Sequence, residues 1–343
     1  MTLMREETLS CGACANAFLE RGLASALAAG QTLRQRALQH VEVLGRGSSS
    51  HAGTVLRYAF AVQGGLSVSA VMPSVAANQE SLAHLRNAAL VAISQSGQSP
   101  DLVRYAAAAR SAGAYVVGLI NVDGSPLGAT CDQEIALCAG PEKAVAATKS
   151  VVMSVLAGLA LVAGFRGDAA LTDALRELPK RLDEAAGCDW SALTAVLAGA
   201  RAVYVVGRGA DLGIAKELAL KVAEAVGIPA LAFSSAEFLH GPLAAVSAQT
   251  PVLGVAREAQ ALASVLIALE RAREQGAPTL LAHGFTAASG VPSAQLPLPP
   301  MRGTLADVVL ALVPGYLAIE AAAIAAGRNP DRPRGLSKVT ETL

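Results

Sequence analysis

Short apolar runs of strand length recur along the chain, each broken by glycine or serine and followed by an alanine-rich stretch of helical length. Val41–Gly47 reads VEVLGRG, and Val203–Gly209 reads VYVVGRG, the same run at an offset of 162 residues. Two more strand-like runs follow in each half. They are Leu90–Ile93 and Tyr115–Ile120 in the first, and Val252–Val255 and Thr279–Ala282 in the second, at nearly the same offset. Segments of helical length, such as Ala52–Gly64 and Pro100–Gly113, lie between them. The alternation predicts an α/β fold of two tandem doubly wound domains, with mainly parallel sheets flanked by helices. Charge rises over Gly164–Ser191, which places the boundary there. The expected division is a helical segment at 1–40, a first domain at 41–165, a second at 190–327 and a tail at 328–343.

Composition narrows the picture. Hydrophobic residues make up 53% of the 343 and charged residues 16%, so a large core is available and disorder is not expected. Aromatics are only 3%, so burial falls to Ala, Leu and Val. The formal net charge is zero and no basic tract occurs, which argues against nucleic acid as a partner. The start, MTLMREETLS, lacks the apolar segment of a signal peptide. Of two apolar stretches, Val151–Gly164 is too short to span a membrane, and Leu305–Gly327 carries Asp307 and Glu320. Both are expected as buried helices of a soluble, cytoplasmic protein with no membrane contact. Five cysteines at irregular spacing make no disulfide framework. Cys11 and Cys14 form a lone CxxC, read as an inert helical pair rather than a redox or zinc motif.

The candidate chemistry begins at Ser94-Gln95-Ser96-Gly97-Gln98-Ser99, which closes the Leu90–Ile93 run and opens onto a helix near Pro100. Hydroxyls and backbone N–H groups at a helix N-terminus suit a phosphate held without lysine. Gly45-Arg46-Gly47-Ser48-Ser49-Ser50 ends the neighbouring strand and offers a second hydroxyl cluster. Ordinary turn chemistry explains either cluster alone; two at equivalent strand ends favour phosphate. The second half has GVAREAQA where the first has ISQSGQSP, so only one copy carries the serine loop. In the second half, Glu217, Lys221 and Glu224 fall at i, i+4 and i+7 on one helical face. A solvated ion-pair stripe is the plain explanation. The apolar residues around them point instead to a face lining a cleft.

In order along the chain, VLGRGSSSHAG, ISQSGQSPD, AVAATKS, KELALKVAEAVG, FLHGPLA and RNPDRPRGLSKVT resemble the double sugar-isomerase (SIS) domain proteins. The resemblance runs from about Val41 to Thr340. It is closest to the isomerase portion of glutamine-dependent glucosamine-6-phosphate synthase and its stand-alone deaminase relatives. It implies that Gly47, Ser48, Ser49, Ser94, Gln95, Ser96 and Ser99 hold the phosphate of a hexosamine 6-phosphate, and that the backbone near Val145 meets the sugar. Ala147 departs from the serine usual in the synthase. The resemblance further implies that Glu224 moves a proton between C1 and C2, supported by Glu217 and Lys221. It also implies that His240 opens the ring, reaching across a homodimer with shared active sites, and that Lys338 in the tail reaches the carbonyl carbon. On residue type alone, His240 would be a loop cap and Lys338 part of a frayed end.

A base near neutrality, an imidazole and an amine suit proton transfer beside a carbonyl. His40, His51, His84, His240 and His283 show no paired-ligand spacing, so neither a metal nor another cofactor is expected. The sequence shows no glutaminase segment ahead of the first motif. The expected reaction is therefore glucosamine 6-phosphate plus water giving fructose 6-phosphate and ammonia. The alternatives are another phosphosugar isomerase, a fructosamine-6-phosphate deglycase, or a phosphosugar sensor without catalysis.

Overall fold

The structure, a computed structural model, describes residues 1–38, 40–74, 82, 84–284 and 292–338. Among these, ten strands form two five-stranded sheets. The first half contributes β1 (His40–Leu44), β2 (Ser67–Ala70), β3 (Ala89–Ser94), β4 (Tyr115–Ile120) and β5 (Gln133–Ala136). The second contributes β6 (Val203–Gly207), β7 (Ala230–Ser234), β8 (Val252–Val255), β9 (Thr279–His283) and β10 (Ala294–Pro297). The spatial orders are β2-β1-β3-β4-β5 and β7-β6-β8-β9-β10, so one topology occurs twice. Every strand pair is parallel. The fold is thus α/β with two doubly wound sheets, as the alternation predicts.

The apolar runs become the central strands. β3 and β4 are buried almost throughout, as strands covered on both faces must be, and Val91 sits opposite both Val43 and Val117. Four edge or near-edge strands escape the sequence pattern. SVSA (β2) and ALAFS (β7) are half-exposed, with too little apolar alternation to stand out. QEIA (β5) and AQLP (β10) each bury only one side chain.

The chain separates into two compact units. Of the described residues, one unit holds the first sheet and comprises those within 13–142, 149–179 and 337–338; the other holds the second sheet and comprises those within 1–12, 143–148 and 180–336. In the first-sheet unit, helix Lys149–Arg166 packs against helices Leu23–Gln35 and Ser48–Gly64, and almost every side chain is buried. In the second-sheet unit, the apolar turns from Leu305 to Ala325 are largely buried too, with Tyr316 fully enclosed. Both segments are long and apolar enough to cross a membrane by composition; their burial shows what that apolarity is for. Cys11 and Cys14 lie in or at the start of helix Cys11–Arg21, both buried.

Candidate functional site

In doubly wound sheets, ligands bind beyond the carboxyl ends of the strands, where strand order reverses. In the first sheet that point lies between β1 and β3. The two serine loops leave the sheet there. Gly47 (φ +50°) turns the chain after β1, and helix Ser48–Gly64 starts at once. This helix begins four residues earlier than the Ala52 start predicted, because the serines themselves form its first turn. After β3, Gly97 takes φ +64°, which lets the loop fold back; its amide donates to Ser94 Oγ at 3.0 Å. Ser99 then sits at the N-cap of helix Pro100–Ser111 with its hydroxyl unused for capping.

These turns border a cavity of about 350 Å³ lined by Gly47, Ser49, Ser94, Gln95, Ser96 and Ser99, together with Arg46 and Lys338. Ser48, on the first helical turn, is half-buried beside it but is not among the lining residues. Both cations are already paired. Arg46 bonds one oxygen of buried Asp101 through Nη2 at 2.6 Å and Nε at 2.9 Å. Lys338 Nζ bonds Glu142 Oε2 at 2.9 Å. Glu142 is itself buried and accepts the amide (3.0 Å) and hydroxyl (2.7 Å) of Ser150. An anion entering here meets hydroxyls, amides and a helix N-terminus, in a wall whose positive charges are held in place by carboxylates. The tail thus brings Lys338 to the serine loops; residues 339–343 lie outside the described part.

The second-sheet unit carries the other candidates. Helix Asp211–Lys221 does not end at Lys221 but widens into one π-helical turn, Val222–Val226, stopped by Gly227 in the left-handed region. Such turns insert one extra residue and recur at functional sites. Lys221 is completely buried; its Nζ lies 3.5 Å from Glu217 Oε1 and bonds Glu224 Oε2. Tyr316 Oη donates to Glu217 Oε1 at 3.2 Å. Two carboxylates thus share one ammonium. Of the two, only Glu224 is open, at 20% side-chain exposure, and it faces a cavity of about 490 Å³. The sequence spacing therefore marks a buried charge group rather than a solvated stripe.

His240 is exposed just after helix Ser235–Leu239, and its amide donates to Glu237 O at 3.0 Å. It does not line the Glu224 cavity. Val145 lies in the 143–148 loop, whose amides are pinned rather than open: Val145 N–H donates to Asp331 O at 3.0 Å, and Ala144 N–H to Glu7 Oε2 at 3.3 Å. Helix Leu3–Leu9, which the sequence leaves without a role, therefore supports this loop. Nothing in the spacing or type of Glu142, Asp101 and Tyr316 marks them in the sequence. Only Arg46 had a signal, as the middle of the repeated Gly-Arg-Gly.

A profile of the SIS domain matches residues 36–164 and 196–325. The glutamine–fructose-6-phosphate aminotransferase (isomerizing) of Symbiobacterium thermophilum is 31% identical over 316 residues, covering 88% of this chain and 52% of that protein. The chain spans about half the length of the curated relatives it matches. Among solved structures, a provisionally assigned phosphosugar isomerase from Silicibacter pomeroyi DSS-3 superposes with a TM-score of 0.89 at 34% identity, covering 96% of this chain and 100% of the other. The glucosamine-6-phosphate deaminase of Thermotoga maritima superposes with a TM-score of 0.72 at 18% identity, covering 93% and 99%; at that distance the likeness is one of fold.

Proposed function

The chain belongs to the SIS-domain family, of which it carries two copies, and on that basis we propose that it is an isomerising deaminase of glucosamine 6-phosphate. It is related to the isomerase portion of glutamine–fructose-6-phosphate aminotransferases and to phosphosugar isomerases. The observation that carries the reading is the charge group on the second-sheet helix. Buried Lys221 is shared by Glu217 and Glu224, and only Glu224 opens to a cavity. A carboxylate held by a buried ammonium and open on its far side is placed to take a proton and return it.

The steps follow from the residues. Ser49, Ser94, Gln95, Ser96 and Ser99 grip the phosphate through hydroxyls and amides. His240, exposed and carrying an acid–base imidazole, opens the pyranose from a partner subunit. Glu224 removes the C2 proton and delivers it to C1, which turns the 2-amino aldose into a 2-ketimine. Water adds at C2, the C–N bond breaks, and fructose 6-phosphate and ammonia leave. Lys338, steadied by Glu142, supplies a cation to the cradle. Nitrogen chemistry on this sugar is supported by the relatives, whose name couples an amine transfer from glutamine to isomerisation of fructose 6-phosphate; with water in place of an amine partner, the same proton shift ends in deamination.

The test is an assay of purified protein with glucosamine 6-phosphate, reading ammonia and fructose 6-phosphate together. Equal amounts of both are expected. Fructose 6-phosphate interconverting with an aldose phosphate while no ammonia forms from the amino sugar would move the reading to a plain isomerase.

A further inference from the structure

The serine cradle contains a cation that the steps above leave out. Arg46 follows β1 between Gly45 and Gly47 and lines the cavity beside the hydroxyls of both loops. Asp101 holds its guanidinium by one side only: Nε and Nη2 both donate to Asp101 Oδ2, at 2.9 and 2.6 Å. Among the described residues Nη1 makes no hydrogen bond, so the end of the fork, Nη1 with the second proton of Nη2, stays open to a ligand. Asp101 is fixed in turn. It is buried in the first turn of helix Pro100–Ser111, and its Oδ1 accepts the amide of Leu102 at 2.9 Å.

An ion pair on a half-exposed arginine is ordinarily a surface contact of little worth. Two observations count against that here. The first is the burial of the carboxylate, which stands at the helix end that the cradle offers to an anion. Bare, it would repel a phosphate; bonded to Arg46, it fixes a positive group beside the hydroxyls. The second comes from the repeat. The same Gly-Arg-Gly ends β6, where Arg208 Nη1 donates to Ser234 Oγ at 3.1 Å, and at the 162-residue offset the place of Asp101 is taken by Ala263. The arginine thus recurs with the strand end, whereas its carboxylate occurs only in the copy whose loops border the cavity.

We propose that Arg46 is a ligand of the phosphate, that Asp101 is the residue positioning it, and that the pair makes the cradle prefer a doubly charged ester to a singly charged one. The inference rests on the reading of the serine loops as a phosphate site. Hydroxyls and amides are neutral donors that fit phosphate and sulfate esters alike. A guanidinium held from behind adds a forked pair of charge-assisted bonds, and its attraction grows with the charge on the ligand.

The probes are glucose 6-phosphate and glucose 6-sulfate, which at about pH 8 carry two charges and one. Calorimetric titration of the full protein is expected to give at least about tenfold tighter binding of the phosphate ester, the usual worth of a charge-assisted hydrogen bond. In Arg46→Gln the phosphate ester should weaken by at least about tenfold and the sulfate by less, so the ratio between them shrinks. Arg46→Lys, which keeps the charge without the fork, should fall between the two. Arg46→Gln/Asp101→Asn removes the bare carboxylate as well and should recover only part of the loss. Melting curves of the same samples confirm folding.

Equal affinities for the two esters in the unaltered protein, or an unchanged ratio in Arg46→Gln, overturn the proposal. Full recovery in the double variant also overturns it, because Arg46 would then only mask Asp101. Binding of neither ester by the unaltered protein removes the phosphate reading of the serine loops itself, and Arg46 with it; tight binding that ignores Arg46 keeps that reading and removes Arg46 alone.

Discussion

Asp211 Oδ2 accepts the backbone amide of Arg257 at 3.0 Å, at the position in the second copy that corresponds to the serine loops of the first. The 162-residue repeat makes Asp211 the counterpart of Ser49 and Arg257 the counterpart of Gln95. In one copy the two loops leave a cavity; in the other the protein supplies its own carboxylate to the amide. The second copy keeps the topology and sets a side chain of its own against the equivalent loop amide.

This internal carboxylate makes stability depend on pH. Burial raises the Asp211 carboxyl to about 7, against the opposing pull of the Arg257 amide and guanidinium. Its folded value thus lies above its ordinary 3.8, so the native state holds the proton more tightly. The stabilisation is complete below pH 4 and is lost as pH rises through about 7. Denaturant unfolding between pH 4 and 8 is expected to show this decline, and Asp211→Asn should flatten it. Parallel curves for the two proteins would show that Asp211 does not titrate in this window.

Lys221→Met leaves Glu217 buried beside Glu224 without their shared cation. Breaking one side of a buried ion group destabilises by about 3–5 kcal/mol. Chemical denaturation should show a loss of that size. A change below 1 kcal/mol would mean that the ammonium contributes no more than an exposed pair.

Glu224→Gln keeps size and removes the base. Turnover of glucosamine 6-phosphate should fall by about 10²- to 10⁴-fold while the affinity for the sugar phosphate holds. Ammonia release and calorimetry read the two separately. Unchanged turnover would exclude Glu224 as the proton carrier.

Gly97→Ala acts on the cradle through the backbone. Its φ of +64° disfavours a side chain, and the added Cβ would sit 2.1 Å from Ser125 Oγ. A loss of about 1–3 kcal/mol in stability is expected, with weaker binding of fructose 6-phosphate. Binding and melting temperature equal to those of the unaltered protein would show that this loop tolerates another conformation.

What the sequence displayed, and what it hid, follows from how each feature is encoded. The central strands are legible because a strand buried on both faces must be apolar along its length, as Ala89–Ser94 is. The serine loops are legible because hydroxyl residues and glycine stand side by side at two equivalent strand ends. β2 and β7 are hidden because a half-exposed edge needs no distinctive residues. Glu142 is hidden for another reason: its partner Lys338 is 196 residues away, and no periodicity reports a contact that long. Asp211 opens helix Asp211–Lys221 and nothing in its type or position marks it; only its burial reveals the charge. Lys338 sits in a tail whose composition alone suggests fraying; the order before it comes from Asp331 reaching a helix at the opposite end of the sequence.

The wide turn at Val222–Val226 makes the aim of Glu224 a matter of residue count. An α-helix advances about 100° per residue. Deleting one residue between Lys221 and Glu224 would cut their spacing from three to two and turn the carboxylate by about that angle round the axis relative to the ammonium. Grafts onto this helix must therefore preserve its length before its side chains: a chimaera with every acid and amine retained but one peptide unit fewer would point its base elsewhere.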